Sequence, residues 1–421
     1  MTKAPHQPVQ GNEIPGLIYE INEIFTPSSP VGIADLFAGR TKQITQLISA
    51  IAEPGRHAIL YGERGVGKTS IAHVIKFWIP SKNRQLLFHR KPCDPSDNFS
   101  SIWKKIFRDI HFEIGHGDDL KTYSVDEIYK GDISPYDVVR ELKNFKPNDV
   151  PVFVIDEFNE VTDAETSILM ANTIKALSDE AVNATIIIVG VADNVTQLFE
   201  DHASIDRCCE EVPMPRMSTT ELGQIIDTRL KQLGMTIDAD GRMKIIVLSR
   251  GLPMYVHSLG KLSATRAIYQ SKKHISEEYV DKSIEEMLSS SQQSLRTKYE
   301  KSVYSNQPGN LFREVLLACA LTKSDDNGFF VPAAVREPLS KIMGKDIQIA
   351  QYQNHLNSFS GDDRGKILFR SGAERQYRFR FKDPAMQPYV LMKGISDGFI
   401  SNNLNTILSF PQQPDLFSNA K

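Results

Sequence analysis

Cysteine is scarce in this chain, and the four present, Cys93, Cys208, Cys209 and Cys319, show neither the paired spacing of a zinc site nor the density of a disulfide framework. That excludes a metal- or disulfide-stapled fold and fits a reducing compartment; adjacent Cys208 and Cys209 read as plain small residues. Long apolar runs are missing too. The longest, near "IIIVGVA", falls far short of the roughly 20 residues a membrane span needs, and the start "MTKAPHQPVQGNEIPG" has no charged leader followed by an apolar core. No membrane partner is expected, and the expected location is cytoplasmic. Nor does charge of one sign dominate: a formal net charge of -3 excludes a uniformly basic coat, so any nucleic-acid contact needs a local patch. What is present is 421 residues of ordinary hydrophobic and charged content, room for about three domains with real cores and no internal repeat.

Residues 1–30, rich in Pro, Gln and Ser around "GLIYEINEIF", read as an arm that docks rather than folds alone. Over 31–216, short apolar runs ("HAILYG", "QLLFHR", "PVFVID", "ATIIIVGV") alternate with helix-period segments, which predicts an α/β unit with a parallel sheet covered on both faces. Residues 115–133 break the pattern, and helix-start chemistry resumes at Ser134 and Pro135. From 217 to 305 the strands stop; a capping box from Ser218 to Glu221 and a closing Gly251 predict an all-α lid. Residues 306–397 give three helices and then two strands, "KILFR" and "QYRFRFK", the order of a winged helix. Residues 398–421 read as a flexible polar tail.

"YGERGVGKTS" fits the phosphate-cradling pattern G-x-x-x-x-G-K-[ST] between a predicted strand and a predicted helix. Glycines let the backbone curl until successive N–H groups face an anion. The expected nucleotide contacts are Gly62, Glu63, Arg64, Gly65, Val66, Gly67, Lys68, Thr69 and Ser70, with Lys68 on the β- and γ-phosphates and Thr69 on Mg²⁺. About 90 residues on, the apolar run of "VFVIDEFNE" delivers two consecutive acids at a strand's carboxyl end. Asp156 is placed to hold Mg²⁺ and Glu157 to polarise an attacking water. ATP and Mg²⁺ are therefore the expected cofactors, and ATP hydrolysis the expected activity. No LSGGQ-like signature or acceptor pocket of a small-molecule kinase is visible.

Other segments resemble those of AAA+ ATPases, in the branch of replication initiators and STAND-like signalling ATPases. "LFAGRTKQITQLISAI" is similar to the stretch those proteins carry ahead of the P-loop, with Phe37, Gly39 and Arg40 matching its core. The resemblance implies a sensor-1 role for Asp193, or its neighbour Asn194, beside the γ-phosphate. It implies that Arg207 is an arginine finger inserted into a neighbouring copy, hence a homo-oligomer with shared active sites. Where initiators carry a sensor-2 arginine, this chain has Met254; "SRGLPMYVHSL" instead resembles the Gly-x-Pro turn of STAND-like ATPases, with Pro253 near the adenine and Arg250 as the substitute cation to be tested.

In the C-terminal unit, Tyr377, Phe379 and Phe381 alternate with Arg378, Arg380 and Lys382, and seven basic residues against one acid lie between Arg364 and Lys382. With Arg370, these cations are the expected DNA contacts, and Gln348, Gln351, Gln353, Asn354 and His355 on the preceding helix are within reach of bases. The competing reading is a winged helix that gates a protein partner and never touches DNA. In the tail, Gln413–Phe417 ("QPDLF") resembles the peptide by which bacterial proteins dock on the sliding clamp.

Overall fold

The computed structural model describes residues 10–27, 38–79, 84–114, 121–199, 203–373 and 376–410. Five parallel strands form the central sheet in the order Gln85–Pro92, Asp149–Asp156, Thr185–Val191, His57–Gly62, Cys209–Pro213. The three inner strands are apolar on both faces because helices cover both, and alternation sorts their side chains. Ala58, Leu60, Val152 and Val154 face a core continuous with the lid and the C-terminal unit. Ile59, Phe153 and Ile155 face the helices Phe99–Phe107, Pro135–Leu142 and Ala164–Asp179. Four of these strands follow the sequence expectation. The fifth, Cys209–Pro213, does not: Glu210 and Glu211 hide an edge strand whose pairing to His57–Gly62 buries Cys208 and Cys209 as free thiols. The break before Ser134 holds a small antiparallel hairpin, His111–Ile114 with Lys121–Ser124.

The helix punctuation is as the sequence implies. Ser134 caps Pro135–Leu142 through Asp137 with Pro135 in the first turn, and Ser218 caps Thr219–Gln232 through Glu221. Helix Ala239–Leu248 ends into Arg250 and Gly251, both at positive φ, and Pro253 opens Pro253–Tyr269. The arm docks: helix Ile14–Ile24 lies on Pro253–Tyr269, and Phe25 sits so close to Gly260 that an added Cβ would meet its ring at 2.6 Å.

In the C-terminal unit, helices Phe312–Leu321, Arg336–Met343 and Ile349–Phe359 precede an antiparallel hairpin, Leu368–Ser371 with Arg378–Phe381, in winged-helix order. Residues 398–410 depart from the expected tail. Leu404, Ile407 and Phe410 fall on one side of a short helix, Leu404–Leu408, and are buried, the helix lying against Ala239–Leu248; polar Asn and Ser between them mask this spacing. The clamp-like segment Gln413–Phe417 lies outside the described residues. No described helix is long and apolar enough to cross a membrane.

Candidate active site

A cleft of about 660 Å³ opens at the carboxyl ends of the inner strands, between the sheet and the lid. Arg64 to Ser70 line one end, with Asp156, Glu157, Asn159, Gly190 and Val191 opposite. The backbone turns here require glycine. Gly62 has φ 152, and an added Cβ would lie 2.4 Å from the Met214 carbonyl; Gly67 has φ 100, and nothing approaches the place its Cβ would take. Lys68 is buried beneath the loop and donates to the carbonyls of Gly62 (2.9 Å) and Glu63 (2.8 Å). Burial pushes its ammonium down to about 8, against the pull of Asp156 and Glu63.

Asp156 is 1% exposed. One carboxylate oxygen accepts from Arg90 Nε (3.0 Å) and Nη2 (2.6 Å), the other from the Glu157 N–H (2.9 Å). Arg90 reaches it from the adjacent strand, whose parallel register sets Pro92 beside Asp156. Glu157 is exposed and left-handed, φ 57 and ψ 33, an uncommon conformation for a non-glycine residue. Asn159 Oδ1 accepts from the Val191 N–H (2.7 Å), fixing the acidic turn to the next strand. A threonine hydroxyl and a carboxylate suit a hard cation such as Mg²⁺; among the described residues no cluster of three or more His, Cys, Asp or Glu could hold a metal alone, so phosphate and water would supply the other ligands.

Several expected residues sit elsewhere. Asp193 is absent from the cleft lining; its carboxylate pairs with Arg380 of the C-terminal hairpin, while Asn194 caps the following turn through the Gln197 N–H. Arg207 is 68% exposed and pairs with Asp179 (2.7 Å). Arg250 is buried, donates to the Thr322 carbonyl (3.0 Å) and does not line the cleft. Of the basic residues on the hairpin, Arg378 pairs with Asp325 (3.4 Å), Arg380 with Asp193, and Arg370 lies over Tyr377; Lys382 is exposed. Gln348 and Gln351 close a capping box on their own helix.

The sequence did not disclose two groupings: it passed over Arg216, Gln387, Arg229, His257 and Thr26, and it did not give Glu63 and Arg40 the partners they have here. The first ties the P-loop to everything beyond it. Arg216 grips Glu63 with two bonds (Nε–Oε2 2.7 Å, Nη2–Oε1 3.0 Å), and its remaining nitrogen donates to the Arg250 carbonyl (3.2 Å) and to Gln387 Oε1. Both charged side chains are buried, so P-loop, lid turn and C-terminal unit share one polar junction. The second group lines the lid end of the cleft, with Met217, Ile225, Pro253 and Met254: Arg40, Arg229, His257 and Thr26. Arg40 is buried at φ 62 and donates to Val66 (2.9 Å) and Pro215 (2.7 Å) carbonyls. His257 Nδ1 accepts from the Thr26 N–H (3.1 Å), and burial with Arg229 nearby pushes its imidazolium down to about 3. A signal existed for Arg229: it occupies an apolar-face position, in step with Leu222, Ile225 and Ile226.

Residues 31–301 match the family model described as Novel STAND NTPase 1. No curated protein matches the chain. Among solved structures, the Aeropyrum pernix ORC1 protein in complex with DNA is 14% identical, with 89% of this chain and 96% of that one covered at a TM-score of 0.46. Cdc6p from Pyrobaculum aerophilum is 18% identical, covers 90% and 98%, and scores 0.46. The Thermotoga maritima RuvB Holliday junction branch migration motor is 15% identical, covers 84% and 95%, and scores 0.44.

Proposed function

The chain belongs to the Novel STAND NTPase 1 family, and on that premise we propose that it is an ATP-binding, ATP-hydrolysing switch whose nucleotide state gates a partner protein through its C-terminal unit. The observation that carries this reading is the buried Glu63–Arg216–Gln387 junction: a P-loop that moves to take phosphates must move, or break, a contact shared with lid and C-terminal unit. In this reading Lys68 exchanges two carbonyl partners for β- and γ-phosphate oxygens. Thr69 and Asp156 would hold Mg²⁺, which when bound neutralises phosphate charge; Arg90 keeps the Asp156 carboxylate in place. Glu157 polarises the attacking water. Asp193 reports on the γ-phosphate only by leaving Arg380, and Arg207 leaves Asp179 to enter a neighbouring copy's cleft, giving a homo-oligomer with shared sites.

A second reading, direct DNA engagement, is favoured by a smaller pocket of about 250 Å³ between the P-loop and the C-terminal unit, lined by four cations, Arg64, Lys298, Lys366 and Lys382, against one acid, Asp383. One experiment addresses both. Glu157→Gln loaded with ATP is expected to hold nucleotide, release no phosphate and gain mass in solution by self-assembly. Normal turnover in this variant removes Glu157 from its role, and a mass indifferent to ATP removes the assembly. A further gain with duplex DNA, lost steeply as salt rises, favours the second reading; no gain leaves the protein partner.

A further inference from the structure

We infer that Arg229 is a nucleobase-reading residue, a guanidinium set into the lid wall of the cleft to donate hydrogen bonds to the ring-nitrogen acceptors of a purine. This rests on the nucleotide reading of the cleft. Arg229 is 1% exposed, yet among the described residues no carboxylate pairs with it; Nη1 donates to the Ile225 carbonyl one turn back (3.3 Å), and Nε has no partner. A charge buried this way is costly unless a ligand completes its shell. Burial accordingly pulls the group down to about 10, with no acid offsetting it.

The surroundings specify the kind of ligand. Ile225, Met217, Pro253 and Met254 make this end of the cleft an apolar slot, fit for a flat ring. Three of its polar side chains, Arg229, Arg40 and His257, offer donors. Arg40 also has Nε and Nη1 buried without partners, and His257, whose Nδ1 is taken by the Thr26 N–H, carries its proton on Nε2 in the neutral form. The phosphates have their own cradle at the P-loop end, and a slot walled by donors suits N1, N3 or N7 of a purine better than an amino group.

The test compares ATP, ADP and inorganic tripolyphosphate binding to the full chain carrying Arg229→Met or Arg229→Lys, beside a ligand-free melt of each. Arg229→Met is expected to weaken ATP and ADP by about 10- to 100-fold, as loss of a charged hydrogen bond does, with tripolyphosphate changed less than about twofold and the ligand-free melting temperature equal or higher. Arg229→Lys, which keeps the charge but loses the fork, is expected to fall between. Equal losses for ATP and tripolyphosphate overturn the base assignment, as does undiminished ATP binding. A ligand-free melt that drops in parallel with ATP affinity makes the residue merely structural and overturns it too. If the unaltered chain binds tripolyphosphate but no nucleotide, or neither, the nucleotide reading itself falls, and this inference with it.

Discussion

Replacing Arg216 by methionine isolates the junction under the P-loop. The substitution fills roughly the same space but leaves Glu63 a buried carboxylate without its cation; both side chains are about as inaccessible, at 5% and 6% exposure. Stranding one member of such a pair costs about 3–5 kcal/mol. The Arg250 carbonyl and Gln387 each lose a donor as well, about 1 kcal/mol apiece. The worked expectation is a loss of about 5–7 kcal/mol, or about 10–28 °C in melting temperature for domains of this size. Adding Glu63→Met to Arg216→Met removes the stranded charge and should restore most of that loss. Thermal melts of the single and double variants at pH 7 decide it. A double variant no more stable than Arg216→Met would refute the view that a compensated buried charge holds P-loop and C-terminal unit together.

Two further outcomes follow from the same structure. His57, whose Nδ1 accepts the Ile186 N–H inside the sheet, and His257 are held neutral by burial, down to about 4 and about 3; because the unfolded chain protonates them first, stability is intact above about pH 6.5 and is lost as pH falls, by about 2 kcal/mol per histidine at pH 5. Melts from pH 7.5 to 5 should show His257→Gln flattening this acid limb, and an unchanged limb would contradict the burial argument. Arg207→Ala should impair ATP turnover while leaving ATP affinity intact, and mixing it with Lys68→Ala should restore some turnover; absence of rescue at every ratio argues against a site shared between copies.

The parts legible in the sequence were those written in short range. Four strands, the caps at Ser134 and Ser218, the Gly251–Pro253 turn and the cradle around Lys68 each depend on residues within a few positions of one another. Spacing alone reveals them, because backbone geometry imposes a fixed period. The edge strand Cys209–Pro213 escaped because it is short and buries one residue on each face, Cys209 and Val212, so that Glu210 and Glu211 between them break the apolar run. The buried side of helix Leu404–Leu408 escaped for a related reason: one turn of helix offers too few positions for a period to emerge.

What the sequence could not disclose is which charged residues face each other across the fold. Glu63 meets Arg216 and Asp193 meets Arg380 over 153 and 187 residues of chain, and no local pattern distinguishes either arginine from a solvated one. The consequence bears on function. Strand alternation correctly put Arg378 and Arg380 on a cationic face, but that face is turned toward Asp325 and Asp193, acids of this same chain. A basic strand that reads as a DNA surface is thus, in this arrangement, a clasp between the C-terminal unit and the turn expected to sense the nucleotide. For Arg380 to meet a phosphate backbone, its pair with Asp193 must first open. Any DNA engagement through Arg380 is therefore coupled to that turn, while engagement through Arg378, Lys382, Lys298 and Lys366, which among the described residues no ATPase-core acid holds, is not.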